Sequence, residues 1–87
     1  MPTPDELKPQ LKEMIVEKLF LQVDPQSIGD EQSLMDEYGV DSVMLFEIVV
    51  GLEEKFNVTL EDDEFDIETF KNVQSIAEFV AKKLNSE

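Results

Sequence analysis

Apolar residues recur at helical spacing near the start of the chain, beginning shortly after Thr3 and Pro4. Thr3 suits the N-cap of a helix and Pro4 its first position, with Glu6 completing a capping box. Pro9 removes one backbone hydrogen bond, which allows the regular helix to begin as late as Lys8. The repeat predicts a first helix over residues 5–21 with one buried stripe, formed by Leu7, Leu11, Met14, Ile15 and Leu19.

Residues 22–41 lack such a repeat and contain several turn-forming residues, among them Pro25, Gly29 and Gly39. Isolated apolar residues lie between the turn formers. A structureless connection of this length is uncommon in a small domain unless it is functional or attached to the core. The pattern predicts a long irregular loop held down by its apolar side chains.

A second helix is predicted from Asp41 or Ser42, either of which suits its N-cap, to Phe56, with Asn57 ending it. One stripe suits a core: Leu45, Ile48, Val49, Leu52 and Phe56. Further apolar residues fall on other faces of the same helix. Because so small a domain has little room to bury them all, these residues predict an apolar surface for a partner: Val43, Met44, Phe46 and Val50.

Residues 57–72 are acidic and irregular, and we expect Phe65, Ile67 and Phe70 to point inward, with a short helix near residues 67–70. Asn72 then suits the cap of a last helix, whose buried face is Val73, Ile76, Val80 and Leu84. The predicted fold is all-α, a small four-helix bundle of three main helices and one short helix, with a long loop between the first two. It forms a single domain over residues 1–87 with an ordered core at about 5–84.

Composition narrows the range of functions. The 87 residues include no Cys and no His, which excludes disulfides, thiolate metal sites, a cysteine nucleophile and the commonest general base. The acidic run from Glu61 to Glu64 lacks the alternating ligands and the glycine of a calcium-binding EF-hand loop. The sequence therefore predicts neither an enzyme nor a metal site.

Charge indicates the kind of partner. The chain has 21 acidic and 7 basic residues, a net charge of -14. Such a surface repels nucleic acid and anionic lipid and favours partners that present Lys and Arg. No apolar run approaches the roughly 20 residues that span a bilayer. We expect a cytoplasmic monomer that binds neither nucleic acid nor membrane.

One short segment, Gly39 to Val43, has an arrangement that suggests chemistry. Gly39 permits a left-handed turn, and Ser42 follows at the first turn of the second helix. The positive end of the helix dipole and its unpaired N–H groups suit a phosphate at this position. The alternative is that Asp41 and Ser42 only cap the helix.

The same segment resembles the acyl carrier protein family. The resemblance rests on Tyr38-Gly39-Val40-Asp41-Ser42-Val43, then Glu47 and Leu52-Glu53-Glu54-Lys55-Phe56, and it continues through Val58, Leu60 and Val73-Gln74-Ser75-Ile76. It implies that Ser42 carries a 4′-phosphopantetheine arm, which a phosphopantetheinyl transferase attaches from coenzyme A. The arm brings its own thiol, so a carrier of acyl thioesters needs no cysteine.

The resemblance also implies roles for other residues. A partner-binding face would meet basic patches on the transferase, on an acyltransferase or ligase, and on a ketosynthase. It comprises Asp36, Glu37, Asp41, Val43, Met44, Phe46, Glu47, Val50, Glu53 and Glu54. Residues placed to line an acyl cavity between the helices, or simply to form the core, are Leu45, Ile48, Leu52, Phe56, Leu60, Ile76 and Val80.

Val43 and Met44 depart from the family pattern, in which fatty-acid carriers have Leu and an acidic residue after the modified serine. Flexible Met suits an adaptable binding surface. With these two residues the chain is more similar to stand-alone carriers of polyketide or mixed polyketide–peptide pathways. The alternatives are an aminoacyl or peptidyl carrier, a carrier of fatty acid synthesis, and an acidic interaction module that is never modified.

Overall fold

A computed structural model describes residues 3–85, and within that range every regular element is helical. The α-helices are α1 (Pro4–Leu19), α2 (Leu34–Tyr38), α3 (Ser42–Phe56) and α4 (Val73–Asn85). Two 3-10 turns, Pro25–Ser27 and Asp62–Glu64, lie in the connections. Three main helices and one short helix confirm the predicted fold class. The single-domain prediction for residues 1–87 extends beyond the described residues at both ends.

Helix α1 has Thr3 as its N-cap and Pro4 as its first residue, as the sequence predicts, and it ends earlier than predicted. The Thr3 hydroxyl accepts a hydrogen bond from the Glu6 N–H at 3.4 Å, and Pro4 is the first helical residue. The helix continues through Pro9, so a start as late as Lys8 is wrong. It ends at Leu19, because Phe20 turns into the left-handed region with φ 54°. The predicted end at residue 21 was therefore two residues too late.

The first connection is more regular than predicted. Ser33 caps α2 by accepting from the Asp36 N–H at 3.2 Å, and Gly39 ends α2 with φ 67°. The connection is held down by its buried apolar residues, Ile28, Leu34 and Val40, as expected. The short helix of the bundle thus lies before α3.

The short helix predicted near residues 67–70 is not formed. A hydrogen-bonded turn replaces it, in which the Phe70 N–H donates to the Asp66 carbonyl at 3.2 Å. Phe70 is fully buried as predicted and Phe65 is half-buried. Ile67 is 44% exposed, so its predicted inward orientation is wrong. The turn is too short to direct both Ile67 and Phe70 into the core.

The core lies where α1 packs against α3 and α4. Gly51 of α3 permits close approach of α1, because a Cβ there would meet the Met14 Sδ and come within 3.2 Å of the Lys18 Cγ. Backbone hydrogen bonds attach the first connection to the start of α4: Leu34 N–H to the Lys71 carbonyl at 2.9 Å and Gln74 N–H to the Asp30 carbonyl at 2.8 Å. These hydrogen bonds fix the first connection and the start of α2 relative to α4.

Candidate functional site

Ser42 is the first residue of α3, and its side chain is exposed. Two neighbours position it: Gly39 makes the left-handed turn, and Val40, only 2% exposed, attaches the turn to the core. Asp41 is the N-cap, its Oδ1 accepting from the Met44 N–H at 2.9 Å. Within residues 3–85 the Ser42 hydroxyl has no hydrogen-bond partner. The geometry leaves a free hydroxyl at the positive end of a 15-residue helix.

The region around Ser42 is acidic. All seven basic residues are lysines, and none lies between Lys18 and Lys55. Five of the seven form ion pairs within the described range, so much of the positive charge is already paired. Lys12 and Lys8 both bind Asp30, and they lower the pKa of that carboxyl. The surface near Ser42 therefore offers carboxylates with little compensation.

The acidic residues predicted for partner binding fall into two groups. Five are exposed: Asp36, Glu37, Asp41, Glu47 and Glu54. Glu53 is half-buried, and its Oε2 accepts from the Leu60 N–H at 3.0 Å. The Glu54 Oε1 lies 2.8 Å from the Lys18 Nζ. Glu53 and Glu54 thus have contacts within the chain, while the partner role of all six stays a prediction.

The predicted apolar face is exposed. Val43 is 69% exposed, Phe46 55% and Val50 45%, while Met44 is half-buried. Phe46 lies one helical turn beyond Ser42. A groove of about 350 Å³ runs beside this face, between α3 and residues 60–65, and is lined by Phe46, Val49, Val50, Glu53, Leu60, Glu61 and Phe65.

An aromatic series extends from this face into the core. The Phe46 and Phe65 rings are stacked with centroids 4.3 Å apart. Phe65 is 5.5 Å from Phe70, which meets Phe79 of α4 edge-on at 5.6 Å. The sequence identified Phe46 as surface and Phe65 as inward, but it gave no signal that the two rings meet. Both rings also line the groove beside α3.

The predicted acyl-cavity residues lie in or against the core. Leu45, Ile48, Leu52, Ile76 and Val80 are fully buried, and Phe56 and Leu60 are half-buried. Their burial agrees with the alternative that these residues simply form the core. Their role in enclosing an acyl chain stays a prediction.

Phe20 is a surface residue that sequence reasoning missed. It is 86% exposed, the highest value among the exposed large apolar residues of the described range. The sequence signal was weak, because Phe20 follows directly on the apolar stripe that ends with Leu19. Extending the first helix to residue 21 concealed its position beyond the helix end.

Two further observations concern metal ions and membranes. The described residues contain no group of three or more carboxylates placed to hold a metal ion. No helix within residues 3–85 combines the length and the apolar character that a membrane span requires.

Comparison with known proteins gives a consistent result. Residues 9–80 match the family described as the phosphopantetheine attachment site. An acyl carrier protein of Bdellovibrio bacteriovorus is 38% identical over 77 residues, which cover 88% of this chain and 94% of the relative. One from Petrotoga mobilis is 35% identical over 83 residues, covering 95% and 93%. The solution NMR structure of a holo acyl carrier protein from Geobacter metallireducens aligns with a TM-score of 0.64 at 28% identity, covering 99% of this chain and 90% of that one.

Proposed function

The chain belongs to the acyl carrier protein family, whose prosthetic group is 4′-phosphopantetheine, and we propose that Ser42 is the residue that carries this group. The observation that supports the assignment is the exposed hydroxyl of Ser42, which has no partner in the described range. When bound, the group supplies a terminal thiol that holds an acyl unit as a thioester.

The start of α3 fits a phosphate-containing group. The first N–H groups of an α-helix have no acceptor within the helix, and the helix dipole favours negative charge there. Asp41 accepts from only one of them, that of Met44, which leaves the N–H groups of Ser42 and Val43 available. Two unpaired donors beside an exposed hydroxyl offset the repulsion from nearby carboxylates.

Intact-mass spectrometry tests the assignment. The purified chain is incubated with coenzyme A, magnesium and a broad-specificity phosphopantetheinyl transferase. We expect the wild-type chain to gain the mass of one phosphopantetheine and Ser42→Ala to gain none. Ser27→Ala is the matched control, because it removes another exposed serine, on a 3-10 turn away from α3. An unchanged wild-type mass, or a modified Ser42→Ala chain, refutes the assignment.

The acidic surface supports a role in orienting partner enzymes. Asp36, Glu37 and Glu47 are exposed on α2 and α3, in the stretch between Lys18 and Lys55 that contains no lysine. Exposed ion pairs contribute only about 0–1 kcal/mol each, so they steer an encounter more than they hold it. Brief contacts suit a carrier that must leave one enzyme for the next. The transfer rate should therefore fall with added salt.

We infer that the partners belong to polyketide or mixed polyketide–peptide pathways and that the chain carries without catalysing. The exposed apolar side chains of Val43, Phe46 and Val50 support this, because they form a docking face beyond simple charge. The test compares transfer from the loaded chain to a polyketide-type and a fatty-acid-type ketosynthase. Faster transfer to the fatty-acid enzyme, or loading by an amino-acid-adenylating enzyme, contradicts the pathway assignment. Loss of the thioester without any partner enzyme, at a rate above that of a free acyl-pantetheine thioester in the same buffer, contradicts the non-catalytic role.

A further inference from the structure

Phe20 occupies a conformation that suits another residue type. It follows α1 with φ 54°, in the left-handed region where helices most often place glycine. A Cβ is unfavourable there, and a bulky aromatic residue is rarely found in this region. The other non-glycine residue with positive φ in the described range is Asn57, a type that tolerates it. Local backbone preference therefore does not account for Phe20.

Burial does not account for Phe20 either. The side chain is 86% exposed, although Leu19 immediately before it is only 8% exposed. A single exposed apolar residue is ordinary, but a fully presented aromatic ring on an unfavourable backbone is not. Contact with a partner explains both properties together.

The surroundings of Phe20 indicate the charge of that partner. Phe20 borders a shallow depression of about 400 Å³ that joins α1 to α3 and is also lined by Met14, Glu17, Lys18 and Glu47. The only cation there, Lys18, is paired with Glu54 of α3 at 2.8 Å. Glu17 and Glu47 therefore give the depression a net negative charge. A second copy of this chain, with net charge -14, would be repelled.

The depression is close to the proposed attachment residue. Glu47 lies five residues beyond Ser42 on α3, about 7.5 Å along the helix axis at 1.5 Å per residue. A protein interface of standard size covers about 800 Å² of each partner, so an enzyme docked at Ser42 extends as far as the edge of the depression. The enzyme that must act on the Ser42 hydroxyl is the phosphopantetheinyl transferase.

We propose that Phe20 is an apolar anchor for the phosphopantetheinyl transferase, entering an apolar pocket that Lys or Arg side chains border. The inference rests on the proposed role of Ser42 as the attachment residue. The acidic rim orients the encounter and the ring supplies contact area that the carboxylates lack. Phe20 is thus a positioning residue and takes no part in the transfer itself.

Steady-state kinetics of arm transfer test this role with Phe20→Gly and Phe20→Leu. We expect Phe20→Gly to raise the KM for the carrier by about tenfold, the size typical of a lost interface anchor, with kcat little changed. Phe20→Leu should retain most of the affinity. The ratio of the Phe20→Gly KM to the wild-type KM should be the same at high salt as at low salt, because salt screens charge interactions and not an apolar contact.

Two controls separate docking from folding. Glycine suits the left-handed position, so Phe20→Gly should unfold at the same or a higher temperature than the wild type. Asn57→Gly alters the other left-handed helix end of the described range that has a side chain, and its KM should match the wild-type value. A less stable Phe20→Gly chain would make Phe20 a structural residue and would overturn the proposal.

The remaining outcomes are distinguishable from one another. An unchanged KM for Phe20→Gly, with the wild type still modified at Ser42, overturns the anchor and leaves the attachment residue intact. Modification of Ser42→Ala in the same assay overturns the attachment residue instead. A wild-type dimer in sedimentation velocity that Phe20→Gly abolishes would assign Phe20 to self-association and refute the transferase contact.

Discussion

Asp41 joins the fold to the proposed site, because it caps the helix that begins with Ser42. Its Oδ1 accepts from the Met44 N–H at 2.9 Å. Asp41→Ala removes this acceptor and leaves one more N–H without a partner. Loss of an N-cap lowers the free energy of unfolding by about 1 kcal/mol, within about 0.5–2 kcal/mol. In a domain of this size, 1 kcal/mol corresponds to a Tm decrease of about 4–8 °C.

Asp41→Asn separates capping from charge. The amide oxygen caps a helix about as well as a carboxylate, so only the interaction with the helix dipole is lost, about 0.3–1 kcal/mol. We expect Asp41→Asn to lie between the wild type and Asp41→Ala in Tm, measured by far-UV circular dichroism. Both variants should load more slowly with the transferase, because both lack the carboxylate beside Ser42.

Two results would refute this reasoning. If Asp41→Asn is as unstable as Asp41→Ala, the side-chain oxygen does not cap α3. If Asp41→Asn loads at the wild-type rate, the transferase does not use the charge of Asp41. Neither result bears on the Ser42 hydroxyl itself, which Ser42→Ala tests separately.

Three further predictions concern packing and pH. The Glu61 N–H and the Lys83 ammonium lower the pKa of Glu64. The ionised carboxylate therefore stabilises the folded chain at pH values above the ordinary glutamate pKa, and this stabilisation is lost as the pH falls through the lowered pKa. Glu64→Gln should be less stable than the wild type in urea at neutral pH, and a difference that does not shrink in acid contradicts this. Gly51→Ala should lower the free energy of unfolding by about 1 kcal/mol, because overpacking costs about 1–3 kcal/mol and the gain in helix propensity is about 1 kcal/mol. A variant more stable than the wild type in urea would show that α1 moves aside to accept the methyl group. Phe70→Ala, which empties a fully buried site, should lower the urea-unfolding free energy by about 3–5 kcal/mol, and a loss below about 1 kcal/mol would show that the core refills the space.

The limits of α3 were predictable because the signals are local. Asp41 caps its start within three residues, and Asn57 ends it with φ 56°. Asn72 likewise begins α4 by accepting from the Ser75 N–H at 2.8 Å. In each case one side chain determines the backbone nearby, so position in the sequence was enough.

The connections were less predictable because distant contacts stabilise them. Helix α2 has five residues, too few to show a helical repeat, and its first N–H donates to the carbonyl of Lys71. The exposure of Ile67 beside buried Phe70 likewise depends on how the turn meets the core. Sequence spacing identified apolar residues there but not their orientation.

The candidate site likewise has one part that the sequence could predict and one that it could not. The position of Ser42 follows from local capping, whereas the state of the nearby carboxylates depends on packing. Glu54 meets Lys18 across 36 residues of sequence, and Glu53 meets the Leu60 N–H across seven. The sequence could therefore group Glu53 and Glu54 with the other acids of α3, but it could not show that both have contacts within the chain.

The lysines link this electrostatic pattern to the fold. Lys8 and Lys12 hold the first connection through Asp30, and Lys83 holds the second through Glu64 and the Thr59 carbonyl at 3.0 Å. Because these cations stabilise the connections, they do not neutralise the surface around Ser42. The acidity of that surface then follows from where the few lysines are used, as well as from the excess of carboxylates. A lysine moved onto the exposed face of α3 would weaken partner steering without any change to the core.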